Sequence, residues 1–126
     1  MSTVLIVEDE ANVMKLVAIN LTSRGYTVLE AEDIHQALSH LQYVTPDLIV
    51  LDIKLPDSTG WDFLTGLARD PVDRPAIPVV VMTASIMDAE VDQKKFPNVV
   101  EVLVKPFSAT KLVTAVERAL DSYFIH

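Results

Sequence analysis

Short apolar segments rich in valine and isoleucine alternate along the chain with more polar segments. Several of the apolar segments are nearly continuous runs, which is typical of strands buried on both faces of a parallel sheet. The pattern predicts five strands, at residues 3–7, 26–31, 47–52, 77–83 and 99–104.

The segments between these strands have the spacing of amphipathic helices, with apolar residues on one face. Four helices are predicted from these sets of residues: Met14, Val17, Ala18 and Leu21; Ile34, Ala37, Leu38 and Leu41; Trp61, Leu64 and Ala68; and Leu112, Val113, Val116 and Leu120. A further helix near residues 87–95, the fourth in chain order, has the weakest pattern and is expected to be short and mobile.

Four residues are predicted to fix the ends of these helices. Gly25 stands where a residue in the left-handed conformation would end the first helix. Asp33 is a candidate N-cap of the second helix, and Gln36 would complete a capping box. Ser108 is predicted to begin the last helix.

This alternation of strand and helix predicts an α/β fold in which helices cover both faces of a parallel sheet. Right-handed crossovers favour an open, doubly wound (βα)5 sheet with strand order 2-1-3-4-5, the flavodoxin-like arrangement. The chain shows no repeat and no linker, so residues 1–126 are expected to form one domain without room for a separate output domain. Ligands of such sheets bind at the carboxyl ends of the strands, near the first and third strands.

Composition restricts the classes of function. The net charge is −8 and the pI is about 4.6, so the surface repels nucleic acids and anionic lipids, and direct binding to either is not expected. No apolar segment approaches the roughly 20 residues that cross a bilayer, and Glu8 ends the first apolar segment too early for a signal peptide. The absence of cysteine excludes disulfides and thiolate metal sites and suits a cytoplasmic location.

Carboxylates follow two strands that the predicted order makes neighbours. Glu8 and Asp9 follow the first strand, and Asp52 ends the third strand directly after an apolar run. Three carboxylates converging on one crevice would repel one another unless a cation lay between them. A set of oxygen ligands suits a hard divalent ion such as Mg²⁺. The alternative, that Glu8 and Asp9 only cap the first helix, does not explain Asp52.

A hydroxyl and an ammonium are predicted at the same edge of the sheet. Thr83 ends the fourth strand and Lys105 follows the fifth. Taken singly, Thr83 could serve a turn and Lys105 could be a solvated surface residue. Taken together, they fit phosphoryl transfer: cations would neutralise the phosphoryl oxygens, the hydroxyl would donate to one of them, and Asp52 would attack in line to give an aspartyl phosphate.

These motifs resemble the receiver domain of bacterial two-component response regulators, over nearly the whole chain. The positions that match are an acidic pair, a phosphoacceptor, a switch hydroxyl, a Lys-Pro pair, and the proline and glycine of the loop after the acceptor: Glu8 and Asp9, Asp52, Thr83, Lys105 and Pro106, Pro56 and Gly60. The resemblance implies Mg²⁺ bound by Asp9, Asp52 and the backbone carbonyl of Lys54, with Glu8 assisting through water. It also implies a cis peptide bond before Pro106.

The same resemblance implies a signalling module that catalyses only its own phosphorylation and dephosphorylation. A histidine kinase or a phosphotransfer protein would supply the phosphoryl group. A downstream protein would bind the face formed by the fourth helix, the fifth strand and the fifth helix. The residues expected to modulate the switch are Lys54, Ser85, Val102 and Pro106.

The chain departs from the family pattern in the residues that precede Lys105. The family usually has an aromatic residue at the position of Val102, and a Gly-Ala pair where this chain has Asn98 and Val99. Valine has one stiff χ1 angle and cannot swing as an aromatic arm does. Phosphorylation is therefore expected to change residues 84–97 most and Val102 little.

Three other interpretations remain at this point. A haloacid dehalogenase-like phosphatase also uses an aspartate at a strand end, but it needs a second acid where this chain has Lys54. A nucleotide-binding flavodoxin-like module needs a glycine- or hydroxyl-rich loop after the first strand, where this chain reads "VEDEAN". A receiver-like docking module that no longer signals by phosphate is the third, and the valine at position 102 keeps it open.

Overall fold

A computed structural model of the protein describes residues 2–69, 76–85 and 95–125, without the side chains of 122–125. It has one five-stranded parallel sheet in the order β2-β1-β3-β4-β5. The strands are β1 (Thr3–Val7), β2 (Thr27–Ala31), β3 (Leu48–Asp52), β4 (Val79–Thr83) and β5 (Val99–Val104). The five predicted strands and their order are confirmed, with observed strand starts up to two residues later than predicted.

Four helices are described, and we number them in chain order. They are α1 (Ala11–Ser23), α2 (Ile34–Leu41), α3 (Gly60–Ala68) and α4 (Ala109–Ile125). The weak helix predicted near residues 87–95 falls almost entirely outside the described residues. Among the described helices, none has the length and apolar character needed to span a membrane.

The predicted helix ends are confirmed, with one difference in detail. Gly25 has a φ of 92° just after α1, and Ser108 Oγ accepts a hydrogen bond from the Lys111 N–H at 3.1 Å at the start of α4. Asp33 accepts from the Gln36 N–H at 2.8 Å. The Gln36 side chain, however, accepts from the N–H of Glu32 at 2.9 Å, one residue before the cap, rather than from Asp33 itself.

Two hydrophobic cores lie on opposite faces of the sheet, as the continuous apolar runs of β1 and β3 require. One core packs α1 and α4 against the sheet, and the other packs α2 and α3. Because β1 and β3 face both cores, Leu5 and Ile6 are both fully buried although they point to opposite sides. Each such side chain contributes about 1.5–3 kcal/mol of hydrophobic stabilisation.

Helix α3 begins directly against the end of β3, and Gly60 makes this possible. The N–H of Gly60 donates to the carbonyl oxygen of Ile53 at 2.6 Å. A Cβ at position 60 would lie 2.7 Å from the carbonyl oxygen of Asp52, closer than real Cβ atoms approach a backbone oxygen. The position therefore needs a residue without a side chain, and the loop between β3 and α3 is held tightly at its base.

We therefore expect Gly60→Ala to destabilise the fold by about 1–3 kcal/mol, because the added methyl must displace backbone. Gly66→Ala is the matched control in the same helix: a Cβ there meets nothing within 4 Å, and alanine should stabilise the helix by roughly 0.5–1 kcal/mol. Urea unfolding of both variants measures these changes. Equal effects of the two substitutions would contradict the close contact at position 60.

Candidate functional site

A cleft of about 190 Å³ opens at the carboxyl ends of the strands. The parallel register places the end of β3 between those of β1 and β4, with β5 beyond. The cleft is lined by the residues that follow or end these strands: Asp9, Glu10, Asp52, Ile53, Lys54, Thr83, Ala84 and Lys105. Most of the strand-end residues singled out in the sequence thus meet in one place, as the predicted strand order requires.

The ammonium of Lys105 lies at the centre of three carboxylates. Its Nζ is 2.7 Å from Oε1 of Glu8, 3.2 Å from Oδ2 of Asp52 and 3.4 Å from Oε1 of Glu10. The contacts with Asp52 and Glu10 have hydrogen-bond geometry. The shorter contact with Glu8 is an ion pair whose angles fall outside that geometry, since Glu8 Oε1 has no hydrogen-bond partner among the described residues.

The backbone around Lys105 fixes where its side chain begins. The Lys105 N–H donates to the carbonyl oxygen of Thr83 at 2.7 Å, which continues the pairing of β5 with β4 beyond the last strand residue. The peptide bond between Lys105 and Pro106 is cis, as the family resemblance implied. Lys105 therefore leaves the sheet edge beside β4 and reaches across it to the ends of β1 and β3.

Glu8 is a charged residue that is fully buried. Its Oε2 accepts a hydrogen bond from the Glu10 N–H at 3.1 Å. Burial, with a smaller contribution from the nearby Asp52 carboxylate, raises the pKa of Glu8 to about 7 against the opposing effect of Lys105. Burial also acts to lower the pKa of Lys105, but its contacts with Glu8 and Asp52 outweigh burial, and that pKa is raised. The ammonium therefore stays charged throughout the physiological range.

The hydroxyl of Thr83 is engaged with the turn that follows β4. Its Oγ1 donates to the carbonyl oxygen of Ser85 at 3.0 Å and accepts from the Ser85 N–H at 3.1 Å. Thr83 is buried, with 5% of its surface exposed, and it lines the cleft. Thr83 therefore both stabilises the turn after β4 and lines the cleft. Donation to a ligand in the cleft requires the hydroxyl to leave Ser85.

The cleft holds a set of oxygen donors that fits a hard divalent cation. Carboxylate oxygens of Glu8, Glu10 and Asp52 lie within 4.8 Å of one another. Glu10 was not singled out in the sequence, although it stands in the same acidic stretch. Asp9 is exposed and lines the cleft, and its role as a metal ligand stays a prediction. Oxygen-only ligands are those that Mg²⁺ and Ca²⁺ prefer.

Lys54 and Val102, two of the expected modulating residues, lie in different surroundings. The Lys54 N–H donates to Oδ1 of Asp52 at 3.2 Å, and Lys54 lines the cleft. Val102 is half-buried on β5 and packs against the core on the α3 side. On that side Trp61 stacks on Phe96 with ring centroids 5.6 Å apart, an aromatic pair that the sequence did not predict.

The chain matches the sequence model of one protein family. A model of the response regulator receiver domain matches residues 4–117 of the chain. The chain belongs to this family. The resemblance drawn from the strand-end residues is thereby confirmed, and receiver domains of this kind are signalling modules of two-component systems.

Relatives of this receiver domain include longer regulatory proteins. The phosphate regulon transcriptional regulatory protein PhoB of Escherichia coli is 34% identical over 117 residues, which cover 93% of this chain and 51% of PhoB. The transcriptional regulatory protein PdtaR of Mycobacterium tuberculosis is 33% identical over 121 residues, covering 95% of this chain and 57% of PdtaR. The receiver domain described here thus spans about half the length of these curated relatives.

Solved structures give the same fold. The chemotaxis response regulator CheY4 of Vibrio cholerae superposes with a TM-score of 0.83 and 28% identity, covering 95% of this chain and 99% of CheY4. NtrX of Brucella abortus superposes with a TM-score of 0.86 and 28% identity, covering 98% of this chain and 28% of that one. The predicted fold class is confirmed by both likenesses.

The raised pKa of Glu8 predicts how the stability of the metal-free protein depends on pH. Because its folded-state pKa of about 7 lies above the ordinary value of 4.5, the folded state holds the proton more tightly. Stability contributed by this group should therefore fall as the pH rises through that window. The free energy of unfolding of the wild-type protein should fall by an extra amount on the order of 2 kcal/mol between about pH 5 and pH 8, and we expect Glu8→Gln to remove this extra fall.

Denaturant unfolding in EDTA across this pH range measures the slope. Glu32→Gln is the control, since Glu32 is exposed and outside the cleft. The same slope for wild type and Glu8→Gln would show that Glu8 does not titrate in this window.

Proposed function

We propose that this receiver domain accepts a phosphoryl group on Asp52 from a histidine kinase or a phosphotransfer protein, and that the modification changes its affinity for a downstream protein. The observation that carries the proposal is the pairing of Asp52 with Lys105 in a cleft that Thr83 also lines. Asp52 ends β3, is 5% exposed, and has an ammonium 3.2 Å from its carboxylate. An apolar strand thus delivers a nucleophile into a site with a cation already beside it.

The chemistry proposed is an in-line displacement at phosphorus. A carboxylate oxygen of Asp52 forms the new P–O bond while the bond from phosphorus to the donor group breaks, and the leaving group takes up a proton from solvent. Charge on the phosphoryl oxygens would be neutralised by Lys105, whose ammonium already lies within reach of Asp52. Thr83 would donate its hydroxyl to one of these oxygens after leaving Ser85.

Mg²⁺ is the cofactor we propose for this step. Asp9, Asp52 and the backbone carbonyl of Lys54 would hold the ion, and Glu8 would assist through water. When bound, it would supply positive charge to the phosphoryl oxygens. The acidity of the cleft supports this assignment, because one ammonium faces three carboxylates there, and Glu10 offers a further oxygen ligand.

The signal would leave the site through Thr83 and the segment that follows it. Val102 cannot swing as an aromatic residue would, so the change must be carried by the backbone after Thr83. Most of the segment expected to respond, residues 84–97, lies outside the described residues. The downstream partner would bind the face made by that segment, β5 and α4, where Val104 is 40% exposed.

The proposal makes a direct prediction about Asp52. With Mg²⁺ and a small phosphodonor such as acetyl phosphate, the wild-type protein should gain one phosphoryl group, and Asp52→Asn should gain none because the amide is not a nucleophile. Intact-mass spectrometry measures the gain. Asp121→Asn is the control, since Asp121 is exposed on α4 and far from the cleft.

Equal labelling of wild type and Asp52→Asn would remove Asp52 as the acceptor. Absence of labelling in a folded wild-type protein that still binds its partner would favour the docking module that does not use phosphate. A haloacid dehalogenase-like phosphatase would instead release phosphate rapidly from the donor without accumulation of the phosphorylated protein.

A further inference from the structure

The loop between β3 and α3, residues 53–59, contacts the start of α2. Asp57 stands near the tip of this loop, and its two carboxylate oxygens accept hydrogen bonds from two backbone N–H groups of α2. Oδ1 accepts from Ile34 at 3.2 Å, and Oδ2 accepts from His35 at 3.3 Å. A loop that includes two cleft residues, Ile53 and Lys54, is therefore joined to a helix that contributes no residue to the cleft.

These bonds complete the set of acceptors at the start of α2. The first N–H groups of a helix have no partner within the helix. Asp33 accepts from the third of them, on Gln36, at 2.8 Å. Asp57 accepts from the first two, on Ile34 and His35. One cap thus comes from the adjacent residue of the chain and the other comes from a loop more than twenty residues away.

The loop itself is fixed at its base but has few internal bonds near its tip. Lys54 and Thr59 form an isolated β-bridge, and the Leu55 N–H donates to the carbonyl oxygen of Ser58 at 3.2 Å. Gly60 packs against the Asp52 backbone below them. Asp57 adds a lateral attachment on the α2 side, three residues after Lys54.

We propose that Asp57 is a positioning residue for the phosphorylation site: by binding the start of α2, it holds the 53–59 loop in the conformation that presents the Lys54 carbonyl to the metal. This proposal rests on the proposed function. Asp57 does not line the cleft, so its effect would pass through the loop backbone.

The attachment also predicts an effect in the opposite direction. If the bond between Asp57 and α2 favours the loop conformation that binds metal, then metal must favour that bond by the same factor. Mg²⁺ should therefore slow amide exchange at Ile34 and His35, although neither residue lies in the cleft. A cap that only stabilised α2 would not respond to Mg²⁺.

The experiment compares Asp57→Ala with Asp33→Ala. Both variants remove an acceptor from the same helix end, but only Asp57 connects that end to the loop. Mg²⁺ affinity is titrated by the fluorescence of Trp61, the single tryptophan of the chain, which lies in the first turn of α3 just after the loop. Amide exchange by NMR at Ile34 and His35 is measured with and without Mg²⁺.

We expect Asp57→Ala to raise the Kd for Mg²⁺ about tenfold and to abolish the Mg²⁺-dependent protection of Ile34 and His35. Asp33→Ala also removes a cap and should lower the Tm, but it should leave the Kd for Mg²⁺ unchanged. Asp57→Asn keeps one carbonyl acceptor and should fall between wild type and Asp57→Ala, which also serves if the alanine variant folds poorly.

If the wild-type protein is phosphorylated but wild type and Asp57→Ala bind Mg²⁺ with equal affinity, the positioning role of Asp57 is overturned and the proposed function stands. Equal loss of affinity in Asp57→Ala and Asp33→Ala would reduce Asp57 to a helix cap. A wild-type protein that neither binds Mg²⁺ nor gains a phosphoryl group would instead overturn the proposed function, and the role of Asp57 with it.

Discussion

Two carboxylates buried at the ends of neighbouring strands need a cation, and the ammonium of Lys105 supplies it. Glu8 is fully buried and Asp52 is 5% exposed. Ionised carboxylates in such surroundings carry a desolvation penalty that is offset only by close opposite charge. Lys105 reaches both from the far side of β4, with Nζ distances of 2.7 and 3.2 Å. The sheet order sets β1 and β3 side by side and so brings the two carboxylates close together. The same order places Lys105, which follows β5, within reach of both.

The same arrangement leaves the cleft poised to accept more positive charge. One ammonium faces the carboxylates of Glu8, Glu10 and Asp52, and burial holds the pKa of Glu8 at about 7. A divalent cation would favour the ionised form of Glu8 and would share Asp52 with Lys105. Under the proposed function, metal binding and the phosphorylation of Asp52 would therefore depend on one electrostatic balance.

Much of the fold and site followed from the sequence because the signals were local. Continuous apolar runs mark strands with two buried faces, and the polar residues that end them must meet at one edge of a parallel sheet. The sequence alone therefore predicts that Asp52, Thr83 and Lys105 lie close together. Gly25 could be predicted to end α1 because helices often end with a glycine in the left-handed conformation.

The parts that were missed depend on contacts between distant segments. Nothing periodic marks Asp57 as a cap of α2, since its partners, Ile34 and His35, begin a helix that lies more than twenty residues earlier in the chain. Glu10 was not predicted because it lies three residues beyond β1, and the sequence alone does not show that its side chain turns back toward Lys105. The stacking of Trp61 on Phe96 likewise joins two segments that only the folded sheet brings together.

The central claim, that Lys105 compensates the buried carboxylates, is tested most directly by double-mutant cycles in the metal-free protein near pH 8.5. One cycle combines Lys105→Met with Glu8→Gln, and the other combines Lys105→Met with Glu10→Gln. The buried pair should show a coupling energy of about 1–3 kcal/mol in urea unfolding, whereas the pair with Glu10, whose side chain is 62% exposed, should show less than about 1 kcal/mol. Additive effects of Lys105→Met and Glu8→Gln would contradict the account.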